Sequence, residues 1–99
     1  MIEHESLVQA LKTVLDPELN VNIFDLGLIY SIETNEDLVS VEMTLTSPGC
    51  PVGPEILRNT IAALEKVEGV GKTDVRLVMY PPWSPDRMTD DARDELGMY

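Results

Sequence analysis

The sequence predicts an α/β (α+β) fold: a single small domain over residues 1–99, elements in the order α-β-β-α-β-α, and a mixed three-stranded sheet with helices mainly on one face. Three observations predict it. Val39, Val41, Met43 and Leu45 alternate with Ser40, Glu42, Thr44 and Thr46, the period of a strand with one apolar and one polar face. Ile56, Leu57, Ile61, Leu64 and Val67 recur at helical spacing. A further strand pattern follows, and strand, helix, strand favours a parallel right-handed crossover.

In chain order, Ser6 reads as a helix N-cap with Gln9 three residues on, and Leu7, Leu11, Val14 and Leu15 share one helical face. Pro17 disfavours helical backbone in the residue before it, so this helix is expected to stop at Asp16. A loop over 18–26 leads to a strand from Leu28 to Glu33, which turns at Asn35-Glu36-Asp37 into the alternating strand, an antiparallel hairpin. The second helix starts near Pro54 and closes at Gly69. Val75, Leu77 and Met79 mark the third strand, which Pro81 and Pro82 end because neither can donate to a ladder. Ser84-Pro85 and Thr89-Asp90-Asp91 start a short turn and a last helix, and Gly97 stops it.

Whole-chain numbers narrow the function classes. Eighteen acidic against 7 basic residues give a formal charge of −11, which repels a phosphate backbone and an anionic lipid surface alike, so neither nucleic acid nor membrane is an expected partner. No charged-then-apolar leader or long apolar run appears, and one cysteine forms no internal disulfide; a reducing cytoplasm is the expected setting.

That cysteine, Cys50, falls between the alternating strand and the second helix, in a loop with three prolines and two glycines over 48–54. Prolines stiffen such a loop and glycines let its backbone approach a ligand. The N–H groups and dipole of a helix start favour negative charge, which lowers a thiol's pKa and favours thiolate as nucleophile or metal ligand. A small buried hydrophobe is the plain structural alternative. Asp16 and Glu18 read as the end of a helix and a solvated loop, and Asp25-Leu26-Gly27 as a strand-entry turn. Trp83 is either a core lid or an exposed partner anchor. Arg58, Arg87 and Arg93 read as surface ion pairs, and His4 as a solvated residue ahead of the first helix.

Four blocks, DPEL at 16–19, NIFDLGLIY at 22–30, MTLTSPGCP at 43–51 and PPWSPDRM at 81–88, resemble in their order the SufT and PaaD-like family of iron–sulfur cluster assembly factors. The resemblance runs over nearly the whole chain. It implies a small α/β domain that helps mature iron–sulfur proteins in the cytoplasm without turnover chemistry. It also implies that Cys50 is the motif cysteine, that Asp16 and Glu18 are the acidic motif, and that Thr46 and Ser47 are the threonine-rich approach to the thiol.

Cys50 is then the thiol that contacts iron, cluster or partner, with no tightly bound cofactor and iron or an iron–sulfur cluster as transient cargo. One cysteine cannot hold a cluster, which takes about four thiolate or imidazole ligands. Either two protomers each offer Cys50 across a homodimer, or a partner supplies the rest; iron–sulfur assembly proteins and apo client proteins are the expected partners. Two rivals stand beside this reading: an adaptor that docks proteins through Trp83 and never binds metal, and a dedicated helper of a phenylacetyl-CoA-type oxygenase. A cysteine hydrolase would need a base, and the only histidine is His4. Structural zinc would need carboxylates to complete its ligands.

Overall fold

The computed structural model describes residues 2–46 and 52–97. Its elements are α1 (His4–Leu11), β1 (Ile29–Asn35), β2 (Leu38–Met43), α2 (Gly53–Glu65), β3 (Lys72–Leu77), a 3-10 turn (Pro85–Arg87) and α3 (Asp90–Leu96). The order and the mixed sheet agree with the sequence reading. Within the sheet β2 is central, antiparallel to β1 and parallel to β3. The hairpin turns at Glu36, a non-glycine residue with φ of 55°.

Period-two burial organises the layers. Val39, Val41 and Met43 are buried on one face of β2, and the register sets Thr34, Ile32 and Ile29 of β1 and Thr73, Val75 and Leu77 of β3 beside them. Leu7 and Leu11 of α1 and Ile56 and Leu64 of α2 complete the core against that face. The opposite face carries Ser31, Glu33, Ser40, Glu42, Asp74 and Arg76, which line a shallow cavity of about 230 Å³.

Several expected boundaries are corrected. Ser6 is not an N-cap: α1 already includes His4, its cap residue is Glu3 with no side-chain bond, and Gln9 donates to Glu5 at 2.8 Å. His4 is therefore the exposed first residue of the helix. The helix also stops at Leu11, before Asp16. Residues 14–16 are drawn into extended backbone by pairing with 21–23, where Asp16 N–H donates to Val21 O at 3.0 Å and Ile23 N–H to Val14 O at 2.9 Å. Two backbone bonds and a buried Val14 and Val21 outweigh another helical turn.

α2 ends at Glu65, four residues short of Gly69, which has φ of +92° in the following turn. Thr60 on this helix is fully buried although it breaks the apolar stripe. Its hydroxyl donates to Ile56 O at 2.7 Å, which removes the cost of burying it. β3 begins earlier and ends earlier than expected, leaving Met79 beyond it and 41% exposed. Thr44, expected on the polar face, is buried, and its N–H donates to Leu28 O at 2.8 Å. The last helix is as read: the Thr89 hydroxyl accepts from Ala92 N–H at 3.2 Å, and Gly97 stops it in the left-handed region at φ 73°.

The chain after β3 is clipped onto the turn before β1. Trp83 Nε1 donates to Leu26 O at 2.7 Å, Thr89 N–H to Asp25 O at 2.8 Å, and Tyr30 Oη to Pro81 O at 2.7 Å. Gly27 sits at φ +80° with the Arg87 carbonyl where its Cβ would be. Gly27→Ala therefore meets both left-handed strain and a backbone clash, and should destabilise by about 2–4 kcal/mol in urea unfolding while Gly97→Ala, in open space, costs about 1 kcal/mol.

Candidate thiol loop and its surroundings

Residues 47–51, and with them Ser47 and Cys50, lie outside the described residues, so the site is built from its two stems. One stem is the exit of β2, where Leu45 is buried and Thr46 half-buried. The other is the first turn of α2, with Val52 as N-cap, no side-chain cap bond, and Pro54 in the opening positions. The stems touch: a Cβ added to Gly53 would lie 2.8 Å from Leu45 Cδ1, so any larger residue there would have to displace the end of the leucine side chain. Backbone N–H groups of α2's first turn, left without a side-chain acceptor from the cap residue, favour negative charge at this end.

Asp16 is not the solvated loop residue expected. It is 1% exposed, and its Oδ1 accepts from the N–H of Glu18 at 2.8 Å and of Leu19 at 3.2 Å. Its own carbonyl accepts from Asn20 N–H at 2.6 Å, and Asn20 closes the turn at φ 59°. A short carboxylate after an extended residue and before proline makes an Asx turn, which is why this position favours aspartate. Glu18 is exposed on the same turn. Among the described residues no hydrogen bond or ion pair joins Asp16 to Thr46, and no three His, Cys, Asp or Glu side chains are grouped to hold a metal ion.

A reciprocal pair one turn later was missed by the sequence reading. Asn22 Nδ2 donates to Asp25 Oδ2 at 2.9 Å while Asp25 N–H donates to Asn22 Oδ1 at 2.9 Å. The Asn-x-x-Asp spacing is the capping-box signal that could have found it. The pair fixes the turn whose carbonyls hold Trp83 and Thr89. Trp83 is thus half-buried with its indole N–H bound internally, the lid alternative, and Arg87 lies over the Tyr30 ring at 4.5 Å rather than in an ion pair. Arg93 is 3.6 Å from Asp86.

Asp16→Ala removes the acceptor of two amides and should cost about 1–3 kcal/mol in chemical denaturation. Asp16→Asn retains an oxygen acceptor and should cost less than half of that. Equal losses would show that the charge, not the turn, is what the position supplies.

Comparison with known proteins agrees with this architecture. The iron–sulfur cluster assembly protein family model matches residues 4–77. The Fe-S protein maturation auxiliary factor YitW of Bacillus subtilis is 43% identical over 95% of this chain and 93% of its own length. The Fe-S protein maturation auxiliary factor SufT of Staphylococcus aureus is 41% identical, over 86% of this chain and 98% of its own. A crystal structure of a domain of unknown function, DUF59, from Bacillus anthracis superposes with a TM-score of 0.90 at 36% identity, covering 96% of this chain and 92% of that one. With a fold, a motif order and a family model in agreement, the chain belongs to the iron–sulfur cluster assembly protein family.

Proposed function

We propose that this protein is a non-catalytic factor for the maturation of iron–sulfur proteins, acting in the cytoplasm as a single domain and handling iron or a cluster as cargo through Cys50. The observation that carries the reading is the pair of stems around the Cys50 loop. The C-terminal end of the central strand, parallel to β3, and a helix start whose cap residue Val52 offers no side-chain acceptor are pressed together at Leu45 and Gly53. Ligands of open α/β sheets bind at such strand ends. A thiolate held there has the softness that iron favours, and the helix start stabilises its charge. Close relatives named as maturation auxiliary factors support the same reading.

One thiolate leaves most of a cluster's ligands to be supplied by others. An incomplete site releases its cargo when a fuller ligand set competes, which suits delivery from assembly proteins to apo clients. Thr46 and Ser47 shape the approach to the thiol, and Glu18 offers an exposed carboxylate from the neighbouring motif. Asp16 contributes by holding that turn in shape. Trp83 keeps part of its half-buried ring for a partner while its N–H secures the tail.

The test is iron and acid-labile sulfide bound after anaerobic loading of the wild type and Cys50→Ala, together with client enzyme activity in cells carrying Cys50→Ser. Loss of bound iron and of client activity, with an unchanged circular dichroism spectrum, is the expected result. Normal client activity in the Cys50→Ser cells would sink the assignment.

A further inference from the structure

β3 is an edge strand. The N–H groups of Lys72 and Val78 donate toward the β2 side, to Asp37 O at 3.1 Å and Met43 O at 2.8 Å. Polar backbone groups of successive strand residues point to opposite sides, so Thr73, Val75 and Leu77 direct theirs outward, where among the described residues no strand meets them. Pairing with β2 is unbroken from Lys72 to Leu77, so this edge is regular. Apolar surface continues along it: Leu77 is 40%, Met79 41% and Tyr80 85% exposed. The opposite edge is blunted in the ways edges usually are. β1 has a register shift between Ile29 and Ser31, carries exposed Glu33, and has Tyr30 engaged by Pro81 and Arg87.

We propose that two copies of this chain pair through their β3 edges, antiparallel about Val75, into one continuous six-stranded sheet. Charge complementarity selects a second copy as the occupant, and charge together with strand overlap selects the register. Pairing centred on Val75 sets the outward groups of Val75 against those of the second Val75, and those of Thr73 against Leu77. It also places Asp74 opposite Arg76 of the second copy, twice by symmetry. Centring on Asp74 would oppose the two aspartates and set Lys72 against Arg76; centring on Arg76 would oppose the two arginines. A Thr73-centred register would also join opposite charges, Lys72 to Asp74, but it sets Leu77 beyond the end of the second β3, whereas the Val75 register joins opposite charges and overlaps the whole strand. Asp74 and Arg76 already share the open face of the sheet, with Arg76 Nε 3.2 Å from Asp74 Oδ2 and both side chains exposed. Pairing exchanges the two exposed intrachain contacts, one in each copy, for two cross-strand ones. On the helix-covered side Leu77 packs over Thr73 of the second copy and loses its exposure to water. The −11 charge on each chain opposes approach, but at physiological salt the screening length is about 8 Å, so the seam charges dominate.

The proposal is independent of the maturation reading. It is tested by sedimentation equilibrium of the full chain from micromolar to millimolar concentration at physiological salt, on wild type, Asp74→Arg and the swap Asp74→Arg/Arg76→Asp. The expected result is a concentration-dependent doubling of mass, about tenfold weaker for Asp74→Arg and restored by the swap. Amide exchange at Thr73, Val75 and Leu77 should slow as the dimer forms. Arg76 is exposed and 44% of the Asp74 side chain is accessible, so a circular dichroism spectrum matching wild type is expected for each variant. A wild type monomeric throughout, a dimer indifferent to Asp74→Arg, or a loss that the swap does not restore would each overturn the proposal.

Discussion

β2 is the constraint from which the rest of the molecule is set. It is the one strand paired on both sides, and Val39, Val41 and Met43 on it are essentially fully buried. A strand buried in this way leaves no backbone group to water, so β1 and β3 must satisfy its ladders and the two longer helices must cover its apolar face. Its exit is as constrained as its body. Thr44 bonds to Leu28, Val78 bonds to Met43, and Leu45 fills the space that Gly53 leaves open. Both stems on either side of residues 47–51 are therefore firmly held, one by the sheet and one by the packing of Leu45 against Gly53.

A second constraint closes the other side of that end. The turn over 22–28 is held by the Asn22 and Asp25 pair, and its carbonyls at Asp25, Leu26 and Leu28 accept from Thr89, Trp83 and Thr44 respectively. Three separate parts of the chain thus converge on one short backbone segment. Gly27 is required in the middle of it because neither its φ nor the space before Arg87 admits a side chain. The blocks at 22–30 and 81–88, far apart in sequence, are one structural unit.

The fold was largely legible because its signals are local and periodic. The alternation in β2, the Thr89 cap and the Gly97 stop each arise from a few neighbouring residues. What was not legible was decided by contacts distant in sequence. Nothing in the run from Ser6 to Leu15 says that α1 will give up its last turn to a bridge with residues 21–23. Thr60 hides in the core because its hydroxyl bonds back to its own helix, which a polarity pattern counts against burial. Of the candidate site, Cys50 with Pro48, Gly49 and Pro51 is a sequence expectation that lies outside the described residues, and what the sequence did not show is the local role of its acidic motif. Asp16 reads as a ligand or a solvated charge until the two amides it caps are seen.

Edge pairing through β3 fixes where the two β2 exits stand. In the antiparallel pairing about Val75 the β2 strands run in opposite directions, and Met43, level with Leu77, stands about 7 Å along the strand from the two-fold axis. Three inter-strand spacings separate the two β2 strands laterally, so the two Met43 positions lie about 20 Å apart at opposite ends of the sheet. With the two strand exits that far apart, a dimer of this kind favours, of the two proposed ways to complete the ligand set, the one in which assembly proteins or clients supply the rest. Under the proposed function, pairing then doubles the number of delivery sites without making either complete.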